Sequence, residues 1–127
     1  MSRNKGRNTK PEIALRKYCW ILGMRYRIRS SLVGRPDFYF PKEKIAVFVD
    51  GCFWHGCPFH YKAPSMRSDF WSKKLEANRI RDALVTATLS AEGWQVIRIW
   101  EHDLKTETLL RKQVEKIQTV IQLCRNN

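Results

Sequence analysis

Residues 34–60 read GRPDFYFPKEKIAVFVDGCFWHGCPFH, and the fold turns on how this stretch divides. Asp37–Phe40 and Ile45–Val49 are short runs of aromatic and β-branched side chains, which suit a pleated, half-buried surface. Pro41-Lys42-Glu43-Lys44 between them is polar and contains a proline, so it reads as a turn joining a hairpin. Such a hairpin sets residue 37 beside residue 48 or 49. Asp37, which opens one strand, then shares an end of the sheet with Asp50, which closes the other. Two carboxylates held close together repel unless a positive charge sits between them. A divalent cation with oxygen ligands is the natural occupant, and Mg²⁺ suits one or two carboxylates completed by water and phosphate oxygens. There it would activate water for phosphodiester hydrolysis. Taken singly, each aspartate is an ordinary turn residue. The pair at hairpin spacing in a basic chain points to chemistry instead.

The second half of the stretch packs Cys52, His55, Cys57 and His60 into nine residues, counting Cys52 and His60. Cys52, Cys57 and His60 are spaced to wrap one tetrahedral ion, and their sulfur and imidazole donors favour zinc. His102 is the remaining histidine and would close a Cys₂His₂ site. That leaves His55 as a general acid or base. In the alternative assignment His55 is the zinc ligand and His60 is not, and in the plainest one the cysteines are reduced thiols in a loop. Phe53 and Trp54 are either core aromatics or side chains that stack into a distorted base step.

Upstream, residues 1–8 are polar and basic and read as an arm ahead of a single domain over 9–127. Thr9-Lys10-Pro11-Glu12 looks like a helix start, with Thr9 as N-cap and Glu12 as the capping-box acid. An alternative has Glu12 facing the metal. Ile13, Leu15, Tyr18, Ile21 and Leu22 give the helix an inward stripe, and Gly23 ends it. Tyr26 and Ile28, alternating with Arg25, Arg27 and Arg29, suggest a further strand. Downstream, a long helix over Ser68–Ala91 is closed by Gly93. A strand follows over Trp94–Trp100 with Val96, Arg98 and Trp100 on one face. The last helix spans Thr106–Leu123, with Leu110, Val114, Ile117 and Ile121 inward. The order helix, three strands, helix, strand, helix fits an α/β fold with a central mixed sheet flanked by helices.

The chain of 127 residues carries 24 Lys and Arg against 12 Asp and Glu, a net charge of +12. Ten basic residues precede Pro36, with Glu12 as the sole acid among them. An arm bearing Arg3, Lys5 and Arg7, followed by Lys10 on the first helix, is the footprint expected for a phosphate backbone. The chain shows no long apolar run and no leader-like segment, which points to the cytoplasm, where Cys19 and Cys124 would be buried thiols.

Arg7–Glu12, Gly34–Asp37, Val47–Pro58, Phe70-Trp71 and Gly93–Glu101 together resemble the very short patch repair (Vsr) endonucleases, with GCFWHGCP as the most specific segment. The resemblance covers about residues 2–105. It implies a restriction-endonuclease-like fold related to the PD-(D/E)XK nucleases, and nicking of DNA 5′ to the T of a T·G mismatch with Mg²⁺. It implies Asp37 as a catalytic metal ligand, His55 as the catalytic imidazole and Glu12 in the same site, compatible with capping. It implies structural zinc on Cys52, Cys57, His60 and His102, and aromatic wedging by Phe53, Trp54 and Trp71. Familiar members have histidine where this chain has Asp50, which leaves Asp50 either to bind metal or to orient His55. They also have cysteine where His102 stands. The partners implied are mismatched duplex DNA, mismatch-repair proteins and a cytosine methyltransferase; a cut in one strand is compatible with a monomer. The competing readings are a related homing- or restriction-type nuclease and a non-catalytic zinc-stapled DNA-binding module.

Overall fold

A computed structural model describes residues 10–51 and 68–125, the backbone alone at residues 68, 69 and 71. Helix α1 (Lys10–Ile21) leads to the hairpin of β1 (Phe38–Phe40) and β2 (Ile45–Asp50). Helix α2 (Ser68–Ala91) precedes β3 (Gln95–Trp100), then a short 3₁₀ turn over Glu101–Leu104 and helix α3 (Glu107–Arg125). β2 is central: it pairs antiparallel with β1 and parallel with β3, so the sheet is mixed, as the hairpin and the intervening helix require.

Alternation along β2 gives the sheet two buried faces. Ile45 and Val47 join Phe38, Phe40, Ile97 and Ile99 in a cluster covered by Leu15 and Cys19 of α1 and by Val114, Ile117 and Ile121 of α3. Ala46 and Phe48 face the other way, onto Val85 and Leu89 of α2. The result is a three-layer α/β/α arrangement. Phe38, Phe40 and Ile45 are fully buried, each worth roughly 1.5–3 kcal/mol relative to exposure. The apolar stripe of α3 points inward at Val114, Ile117 and Ile121, as its periodicity predicts.

Two expectations fail. The inward line of α1 is Glu12, Leu15 and Cys19, while Ile21 is 80% exposed and Leu22 44%. An acid occupies an inward position there, so a reading that assigns polar residues outward rotates the helix. Residues 25–29 form no strand. Arg27 makes a single bridge to Tyr39, exchanging backbone hydrogen bonds of 2.8 and 2.9 Å, and Ile28 is 39% exposed. Beside the three-residue β1 there is little ladder to extend.

Among the described residues, no helix is long and apolar enough to cross a membrane. The basic arm with Arg3, Lys5 and Arg7, the Thr9 cap, and Cys52, Phe53, Trp54, His55, Cys57 and His60 lie outside the described residues, as does the side chain of Trp71.

Candidate active site

The hairpin brings Asp37 to the end of the sheet. Phe38 pairs with Val47, so Asp37 lies beside Phe48, and its N–H donates to the Val47 carbonyl at 3.0 Å. One residue further on, the side chain takes over the ladder: Oδ2 of Asp37 accepts from the Val49 N–H at 2.6 Å. That bond fixes the carboxylate and favours its charged form. Burial opposes it more strongly, and so do Glu12, which is close in charge and hydrogen-bonded to it, and Asp50. The balance pushes the Asp37 carboxyl up to about 7.

Glu12 reaches this point because α1 turns its polar side inward there. It is 1% exposed and paired with Arg16 one helical turn later. Asp37 and Glu12 are thus two mostly buried acids in contact. The carboxylate oxygens are hard donors, and the proximity of Glu12 opposes the charged form of Asp37. A small divalent cation suits such a donor set.

Asp50 is also buried, 7% exposed, but it is held differently. Nη1 of Arg98 donates to both its oxygens, at 3.1 and 3.3 Å. The same guanidinium donates through Nε to Thr86 Oγ1 at 3.1 Å and through Nη2 to the Asp82 carbonyl at 3.2 Å, and it lies 4.4 Å over the Phe48 ring. Arg98 therefore ties the ends of β2 and β3 to α2. Sequence reasoning missed this arginine as a site residue. Its signal was its place on the same strand face as Trp100, since the parallel register sets Arg98 against Phe48 and Trp100 against Asp50.

Asp37, Asp50 and Arg98 line a cavity of about 270 Å³ whose walls also include Gly34, Arg35, Arg81 and Asp82. His102 lies nearby in the chain, in the 3₁₀ turn after β3, with Nε2 3.4 Å from Asp103 Oδ1 and its ring stacked on Trp100. Among the described residues no three histidine, cysteine or acidic side chains gather to hold a metal by themselves.

A mixed α/β sheet ending in paired buried acids, within a chain of net charge +12, defines a site suited to hydrolysing a phosphodiester. Comparison with known proteins makes that specific. The family model of the DNA mismatch endonuclease Vsr matches residues 1–61. The type II nicking enzyme V.NmeDIP of Neisseria meningitidis serogroup C is 48% identical over 111 residues, 85% of this chain and 75% of that protein. The type II nicking enzyme V.XorIIP of Xanthomonas oryzae is 41% identical over 120 residues, 92% of this chain and 88% of that protein. The DNA mismatch endonuclease Vsr of Escherichia coli is 34% identical over 102 residues, 74% of this chain and 65% of that protein. The chain belongs to the Vsr family of DNA endonucleases.

Proposed function

We propose that this chain nicks one strand of duplex DNA at T·G mismatches, 5′ to the T, in a Mg²⁺-dependent reaction centred on Asp37. The reading goes beyond family membership, and one observation carries it: Asp37, in contact with the buried Glu12, lines a cavity in a strongly basic protein.

Asp37, with Glu12 behind it, holds the catalytic cation. The Val49 N–H orients the Asp37 carboxylate for that task. When bound, the ion supplies an activated water and stabilises the departing oxygen. His55 serves as the general acid or base beside it. Asp50, neutralised by Arg98, positions the chain that leads into residues 51–55.

A separate structural zinc on Cys52, Cys57, His60 and His102 completes the account. The register supports it: Asp50 pairs with Trp100, and Cys52 and His102 each follow two residues later. Such a site would stabilise a small domain outright. The basic arm and the aromatic side chains Phe53, Trp54 and Trp71 grip the duplex at the mismatch.

A panel of end-labelled duplexes tests the specificity. With Mg²⁺, a T·G duplex is cut in one strand, while matched DNA and other mismatches survive. Equal cutting of matched DNA would instead favour a related nuclease of different specificity. Tight, salt-dependent binding without cutting would favour a binding module. Elemental analysis should find one zinc per chain, lost in Cys57→Ala.

A further inference from the structure

The cavity at the sheet end carries a charge set that the proposed chemistry does not use up. Three acids, Asp37, Asp50 and Asp82, and three arginines, Arg35, Arg81 and Arg98, line it. Arg98 is committed, bound to both Asp50 oxygens and 3.9 Å from Asp82 Oδ1. Asp37 is held by the Val49 N–H and by Glu12. The guanidinium groups of Arg35 and Arg81 are left over, with no hydrogen bond or ion pair among the described residues. Both side chains are exposed at the cavity's mouth.

The backbone fixes where they stand. Gly34 and Arg35 both adopt left-handed conformations, φ 78° and 48°, and the Arg35 N–H donates to the Leu32 carbonyl at 3.1 Å. Gly34 rests so closely on Val85 that a Cβ there would come within 2.5 Å of Cγ1. Arg81 lies one helical turn before Val85, on the same face of α2. The loop bearing Arg35 is thereby seated against the helix bearing Arg81. Both guanidinium groups therefore line one cavity with no ion pair of their own among the described residues, and an anion held there can pair with both. The guanidinium fork matches a phosphate's oxygens in geometry as well as charge.

We propose that Arg35 and Arg81 clamp a single backbone phosphate of the DNA beside the bond that is cut, and so set the duplex over Asp37. The assignment deepens the nicking reading and rests on it. Arg81 and Arg35 are substrate-binding residues here, while Arg98 remains the group that positions Asp50.

The test uses the full chain and a T·G duplex with Ca²⁺ in place of Mg²⁺, so that binding is read without cutting. The affinity is measured across a salt series. Each phosphate neutralised adds about 0.9 to the slope of log affinity against log salt. The Arg35→Gln/Arg81→Gln double variant should lose about 0.9 and no more, because one phosphate is shared. A loss near 1.8 would mean two independent phosphates and would overturn the clamp. Replacing backbone phosphates one at a time by uncharged methylphosphonate should reveal one position where wild type and double variant bind equally, and absence of any such position would also overturn it. Lys116→Gln, an exposed residue of α3 that does not line the cavity, is the control and should still bind more weakly to the duplex carrying methylphosphonate at that one position than to the intact duplex, as wild type does. Arg81→Lys should keep the salt slope but lose at least tenfold in single-turnover nicking, since a point charge holds a phosphate without orienting it. If wild type nicks and the glutamine variants match it in slope and rate, the clamp is wrong and the nicking reading stands. If wild type nicks nothing, the nicking reading falls, while the slope and the methylphosphonate scan still decide the clamp.

Discussion

Replacing Asp37 by asparagine should stabilise the protein while abolishing its activity. The carboxyl is pushed from its ordinary 3.8 up to about 7, first by burial, then by the proximity of Glu12. The folded state therefore holds this proton more tightly than the unfolded chain does. Below pH 4 both states keep the proton and nothing is lost. Between the two values the unfolded chain ionises first, and folding stability falls as pH rises until about pH 7. A gap of about three pH units corresponds to a ceiling of about 4 kcal/mol, at ~1.4 kcal/mol per unit. Because Glu12 shares the burden, about 2–3 kcal/mol is the working figure. Asparagine cannot ionise, its carbonyl still accepts from the Val49 N–H, and its amide donates to Glu12. Thermal unfolding without added Mg²⁺ should therefore show Asp37→Asn more stable than wild type at pH 8, by roughly 5–10 °C for a chain of this size. Most of that gain should vanish at pH 5. Adding Mg²⁺ at pH 8 should raise the wild type's midpoint and leave the variant's unchanged. A variant no more stable than wild type at pH 8, or equally stabilised at both pH values, would refute the buried-pair argument.

Arg98→Ala leaves Asp50 buried without its cation and should cost about 3 kcal/mol in denaturant unfolding; adding Asp50→Asn should recover part of that loss, and simple additivity would deny the pair's coupling. Gly34→Ala forces a Cβ against Val85 in a left-handed backbone and should cost about 1–3 kcal/mol, with Gly34→Ala/Val85→Ala relieving the steric part alone. The Cys19 thiol, pushed up to about 12 by burial, should resist alkylation at pH 8 in the folded protein and react at once in denaturant, as read by mass spectrometry. Rapid labelling of the native protein would contradict its place in the core.

The hairpin was legible because two short runs of aromatic and β-branched side chains flank a polar, proline-containing turn over Asp37–Asp50, and the observed register sets Asp37 beside Phe48, as that spacing requires. The span of α2 was legible for the same kind of reason, running from Ser68 to Ala91 between a polar start and Gly93. What the pattern concealed were polar residues used inwardly. Glu12 and Arg98 occupy inward or half-buried positions: Glu12 is paired with Arg16 within its own helix and meets Asp37 from across the fold, and Arg98 is satisfied by Asp50, Thr86 and Asp82, all remote in sequence. Periodicity carries no term for such pairing. The Arg35–Arg81 pairing was hidden for a related reason, since the seat of Gly34 on Val85 is a contact between elements and not a local motif.

The whole account stands on a metal-dependent acidic centre at Asp37. Single-turnover cleavage of a T·G duplex, resolved by strand and compared for wild type, Glu12→Gln and Asp37→Asn, probes that centre directly. The expected result is a Mg²⁺-dependent cut of the T-bearing strand by wild type, slowed in Glu12→Gln and lost in Asp37→Asn although that protein stays folded. Undiminished cutting by Asp37→Asn would contradict it.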